Sequence, residues 1–115
     1  LWKAMTECVV VFPEGVGVVP WMVPGGNEIA KATSEQMKSY PAVIWAQHGL
    51  FVSGADFDET FGLMHCIEKA ADIYFRARTM NGGSNEFLNT ITDEGLAQIG
   101  VEFNVEINKE FLDVQ

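Results

Sequence analysis

The sequence predicts an α/β fold. Short apolar or β-branched runs bounded by Pro and Gly ("TECVVVF", "AVIWAQ", "HGLFVSG") read as strands. The long segment "DETFGLMHCIEKAADIYFRARTM" has helical period with one polar side. The two kinds of segment alternate along the chain, which implies helices layered on a sheet and leaves open whether that sheet is parallel or mixed. At 115 residues the chain is the size of one domain, taken as residues 1–115. A compact fold of that length buries somewhat more than ~60% of its unfolded surface, enough for one core.

Taken in order, the opening "LWKAMTECVVVF" runs into a strand pattern with no cap, linker or leader before it, which reads as the middle of a longer protein. "TECVVVF", Thr6 to Phe12, is β-branched and apolar and is expected as a strand, ended by the turn residues Pro13, Glu14 and Gly15. In "VGVVPWMVPGG", Pro20 and Pro24 forbid a long central strand. The closing glycines introduce a helix with Asn27 as its expected N-cap, and Ile29, Ala32, Met37 and Tyr40 form its apolar face. Pro41 stops that helix.

"AVIWAQ" follows as a strand, and "HGLFVSG" as a second strand or its continuation. Asp56 or Asp58 is placed to cap the long helix, whose apolar side is Leu63, Ile67, Ala70, Tyr74 and Ala77. Asp58, His65, Lys69, Asp72 and Arg76 make its polar side. "NGGSN", Asn81 to Asn85, is a turn or short loop. Thr92 with Asp93 and Glu94 starts a short helix through Ile99, which Gly100 is expected to end. The last stretch, "VEFNVEINKEF", alternates apolar and acidic positions, as an edge strand or a docked tail would.

Composition narrows the function classes. Apolar residues are 48% of the chain and charged ones 20%, ordinary for a globular domain, and no apolar run approaches the ~18 residues a membrane span needs. No secretory leader pattern is present, so the expected location is cytoplasmic, with no membrane partner. The formal net charge of −9 and the scattering of 7 Lys and Arg argue against a nucleic-acid partner, which requires clustered cations. Cys8 and Cys66 have no CxxC pairing and read as two reduced, packed thiols.

His48 is the leading candidate for chemistry. It sits between two apolar strand segments beside Gln47 and Gly49, a setting expected to hold an imidazole rigidly and half-dry, as a metal ligand requires. A lone histidine at a strand end is also an ordinary hydrogen-bonded structural residue. Catalytic zinc takes three protein ligands, and the other histidine, His65, falls on the polar side of the long helix as a solvated side chain. Partners of His48 in a metal site are therefore expected elsewhere. Glu7, just ahead of "CVVVF", is either a surface carboxylate or one held partly buried at a sheet end to move protons. The glycines of "PEGVGVVP" and "VPGG" fit no phosphate-loop motif, no GxSxG elbow occurs, and Trp2, Trp21 and Trp45 read as core or interface residues.

The segments "TECVVVFPEGVGVVPWMVPG", "EIAKAT", "HGLFVSG" and "DETFGLMHCIEKAADI" together resemble the C-terminal part of zinc-dependent members of the class II aldolase and adducin-like family. The resemblance is dense from Trp2 to about Arg78 and thin beyond. It implies a layered α/β/α fold with a mostly antiparallel central sheet, of which this chain is the C-terminal part. It matches His48 to the family's third zinc-ligand histidine, and Glu7 to a glutamate that assists proton transfer from an adjacent subunit. His65 matches no ligand position. An H-x-H pair, the principal catalytic glutamate and the phosphate-binding loops would all precede Leu1.

The resemblance further implies one Zn2+ per subunit, a cytoplasmic homotetramer and a sugar-phosphate substrate. "PWMVPG" points to reversible retro-aldol cleavage of L-rhamnulose 1-phosphate into dihydroxyacetone phosphate and L-lactaldehyde, with zinc as Lewis acid. By itself the chain is expected to show little activity and weak zinc affinity, and to expose sheet surface. Another sugar-phosphate aldolase, an epimerase or a dehydratase on the same fold is the alternative, as is a non-catalytic adducin-like binding module.

Overall fold

A computed structural model describes residues 2–84 and 86–113. The proposed opening at Leu1 and the last residue of the "NGGSN" turn, Asn85, lie outside them. The chain divides into two compact units, Leu1–Pro13 with His65–Gln115, and Glu14–Met64. Among the described residues no helix is long and apolar enough to cross a membrane.

In the Glu14–Met64 unit, β1 (Gly17–Val19), α2 (Asn27–Gln36), β2 (Ala42–Trp45) and β3 (Gly49–Val52) form a three-stranded sheet with one helix on it. β1 follows the first helix of the chain, α1 (Thr6–Val11), and ends where Pro20 removes the next ladder donor. β2 is central. It pairs parallel with β1, Val18 opposite Ile44, and antiparallel with β3, Val43 opposite Phe51. The parallel pair needs a crossover, which α2 supplies. The sheet is thus mixed, one parallel and one antiparallel pairing, and not the mostly antiparallel arrangement the family resemblance implied. The two expected strands around His48 are separate and form a hairpin.

The core of this unit is Val19, Ile29 and Val43, all buried, with Met22, Ala32, Met37 and Trp45 packed against it. Ile29 and Ala32 come from the expected face of α2, whose N-cap is Gly26 and not Asn27, with no side-chain capping bond. Gly17 is more than punctuation. A Cβ there would lie 2.9 Å from both the Tyr40 ring and the Gln36 side-chain oxygen, so any side chain would have to push these two aside.

The helix α3 (Phe57–Met80) starts at Asp56, whose carboxylate accepts from the Glu59 amide at 2.8 Å. Ala70 is buried, while Asp58, His65, Lys69, Asp72 and Arg76 are exposed, as the periodicity predicts. After it, Arg78 bonds the carbonyls of Gly83 and Ser84 at 3.1 Å and covers the Tyr74 ring, closing a turn.

In the other unit the expected strand "TECVVVF" is instead the helix α1, with Cys8 and Val9 buried and Phe12 buried immediately after it. Cys8 and Phe12 are four apart and share a helical face, so packing overrides the strand preference of β-branched residues. α1 packs on α4 (Asp93–Glu102), whose Leu96 is fully buried. Thr92 caps α4 as expected, accepting from the Gly95 amide at 3.2 Å. Gly100 does not end that helix. It lies within it because a Cβ would meet Ile107 at 3.0 Å and the Val105 carbonyl at 3.1 Å, and the left-handed residue past the end is Asn104 (φ 52°).

The last stretch is a docked tail, not an edge strand, with a short 3-10 turn at Lys109–Phe111. Phe111 lies 6.1 Å from Trp2, whose indole N–H donates to the Phe12 carbonyl at 2.8 Å. Lys3 pairs with Asp113 at 2.5 Å and Asp93 at 3.1 Å. Asp113 chiefly, with Asp93, holds the Lys3 ammonium above its ordinary pKa against an opposing desolvation effect.

The two kinds of glycine environment give opposite signs on substitution. Gly17→Ala lowers stability by roughly 1–3 kcal/mol through overpacking. Gly62→Ala, in an exposed helical position with open space around it, raises it by about 0.5–1 kcal/mol. Urea unfolding of both variants measures the signs directly.

Candidate functional site

His48 is the third residue of the loop Ala46, Gln47, His48 that joins β2 to β3, since Trp45 pairs with Gly49 across the hairpin. Its amide donates to the Trp45 carbonyl at 3.0 Å, closing a tight turn. Gln47 takes a left-handed conformation (φ 55°), which costs an ordinary residue about 1 kcal/mol and is supported here by the paired strands on either side. The expected half-dry pocket between strands is not found, because the loop projects and His48 is exposed. Its ring nevertheless rests on a fixed partner, the Trp45 indole at 5.2 Å.

Trp45 is anchored on two sides. Its ring stacks on Phe51 at 4.5 Å, and its indole N–H donates to the Thr33 hydroxyl at 2.8 Å. That hydroxyl, on the buried face of α2, donates in turn to the Ile29 carbonyl at 2.6 Å. Trp45 had read as a core or interface residue, and Thr33 carried no motif at all. The available signal was a hydroxyl on the buried helix face, four residues after Ile29, where a buried polar atom must find partners. The same residues, Ile29, Thr33, Met37, Trp45 and Phe51, wall a cleft of about 330 Å³.

Glu7 is exposed, in the first turn of α1, so the partly buried sheet-end carboxylate is not what the structure contains. It belongs to one unit and His48 to the other. His65 is exposed on the polar side of α3. Among the described residues no three His, Cys, Asp or Glu side chains gather to hold a metal ion. Of the three protein ligands that a catalytic zinc site would need, the described residues offer one in a suitable setting, the exposed imidazole of His48 on its tight turn. Both cysteines are free. Burial pushes the Cys8 thiol up to about 11, with Cys66 adding, and burial with the Glu7 charge also raises Cys66. Neither is disposed to act as a thiolate near neutral pH.

The Glu14–Met64 unit thus presents an exposed histidine on a hairpin turn of a small mixed sheet. Residues 2–75 match the Class II Aldolase and Adducin N-terminal domain, and the chain belongs to that family. Within it, the chain is 47% identical over 113 residues to a rhamnulose-1-phosphate aldolase of Listeria monocytogenes, covering 98% of this chain and 40% of that protein. It is 46% identical over 114 residues to the rhamnulose-1-phosphate aldolase of Klebsiella pneumoniae, again 40% of its length. The chain thus spans about two fifths of these relatives. Its backbone is similar to a sugar-phosphate aldolase from Thermotoga maritima, with TM-score 0.62 and 34% identity over 70% of this chain and 34% of the other.

The raised Cys8 pKa has a stability consequence. The fold favours the neutral thiol, so this contribution is complete below about 9 and is lost as the pH rises through about 11. Urea midpoints measured from pH 8 to 11 fall for the native chain. The fall is shallower in Cys8→Ala, and equal slopes in the two would mean that Cys8 does not titrate as described.

Proposed function

We propose that this chain forms part of a zinc-dependent aldolase that reversibly cleaves L-rhamnulose 1-phosphate to dihydroxyacetone phosphate and L-lactaldehyde. The supporting observation is its 47% identity, over 98% of its length, to rhamnulose-1-phosphate aldolase. The protein acts in the cytoplasm as a homotetramer.

In this reading His48 is one of three zinc ligands, its imidazole presented on the β2–β3 turn and open to solvent. The other two ligands come from residues outside those described. When bound, zinc supplies Lewis-acid polarisation of the ketose carbonyl. Glu7 reaches the site of an adjacent subunit and exchanges a proton at the aldehyde oxygen, a task suited to an exposed carboxylate on a short helix. A residue donated across an interface makes assembly a condition of full activity.

The test measures zinc content and cleavage of L-rhamnulose 1-phosphate in the full-length protein. His48→Ala loses zinc and activity together. Glu7→Gln keeps zinc and lowers kcat by roughly 10²–10⁴-fold, the range for a positioned acid–base group. A native protein that holds zinc but leaves this substrate intact would overturn the assignment.

A further inference from the structure

We propose that Thr33 and Trp45 are positioning residues for His48, holding its ring against the Trp45 indole and so limiting the rotamers it samples. This rests on the reading of His48 as a metal ligand. An exposed side chain on a projecting turn samples several rotamers, and a ligand held that way gives up affinity each time it is ordered. His48 is instead laid against the Trp45 indole at 5.2 Å. What matters is therefore whether Trp45 can move.

The hydrogen-bond chemistry leaves Trp45 one arrangement. An indole N–H only donates, and a threonine hydroxyl has a single proton. That proton goes to the Ile29 carbonyl at 2.6 Å, so the Thr33 oxygen accepts from Trp45 at 2.8 Å. Both donors are satisfied, and the chain of contacts runs from the α2 backbone through Thr33 and Trp45 to the His48 ring. The Phe51 ring stacks on the indole at 4.5 Å. Thr33 is only 5% exposed, so loss of its hydroxyl leaves the indole N–H facing apolar surroundings and favours a turned-out Trp45.

The experiment is zinc affinity of the full-length protein, by competition with a chromophoric chelator. The variants are Thr33→Val, Thr33→Ser, Ile29→Val and His48→Ala. Thr33→Val keeps the shape and removes the hydroxyl, and weakens zinc binding by roughly 10- to 100-fold, the effect typical of groups that orient a metal ligand. Thr33→Ser keeps both bonds and recovers most of that loss. Ile29→Val trims the same core while its backbone carbonyl, the acceptor for Thr33, stays in place, and it binds as the native protein does. Trp45→Phe, which retains a ring and loses the donor, substitutes for Thr33→Val should the latter not fold.

Native affinity in Thr33→Val, with zinc lost in His48→Ala, overturns the relay and leaves His48 a ligand. Equal weakening by Thr33→Val and Ile29→Val also overturns it, since general loosening of the core then explains the effect. Native zinc affinity in His48→Ala removes the underlying reading and the relay with it.

Discussion

Strand β2 is paired along both edges, parallel to β1 and antiparallel to β3, and the position of every functional group in its unit follows from that double pairing. A strand hydrogen-bonded on both sides cannot slip by one residue without exchanging its faces. Ala42 and Val43 are therefore held buried, and Trp45 is held at the strand end where it meets α2. The turn after Trp45 has no freedom left except to project, and it carries His48 out with it. The parallel half of the pairing also requires α2, which brings the Thr33 hydroxyl to the indole.

Much of this unit was legible in the sequence. Pro20 marks where β1 gives way, Ile29 and Ala32 of α2 follow helical spacing, and "AVIW" and "GLFV" are strand-type runs, whereas α2 ends at Gln36, ahead of the Pro41 expected to stop it. The turn between them was harder to see, because Gln47 is not a residue that advertises a left-handed conformation. His48 was consequently expected in a half-dry setting, whereas on the loop between β2 and β3 it stands exposed. The relay through Thr33 was out of reach, since a threonine one position beyond Ala32 becomes informative only when the indole bonded to it is seen.

The other unit shows why local preference misleads. Six residues of "TECVVV" carry three valines, and nothing local opposes a strand. The helix forms because Cys8, Val9 and Phe12 bury together and because the Trp2 indole caps the Phe12 carbonyl, and neither fact has a short-range signature. Gly100 misled for the opposite reason. A glycine near a helix end normally terminates it, whereas here the tail at Val105 and Ile107 packs against it. Glu7 is exposed, as the surface alternative had it, and stands in the first turn of a helix where a strand end was expected.

In the proposed reading the zinc site takes a histidine ring nitrogen from a tight hairpin turn on a sheet. One imidazole does not make a zinc site, and the chain spans about two fifths of its relatives, so the proposed reading draws the remaining ligands from other residues. The most direct test is anomalous scattering at the zinc absorption edge from crystals of the full-length protein. The account predicts a zinc peak about 2.0–2.1 Å from a ring nitrogen of His48, the usual Zn–N distance. A fully occupied zinc peak elsewhere, with the His48 ring outside its coordination shell, would contradict it.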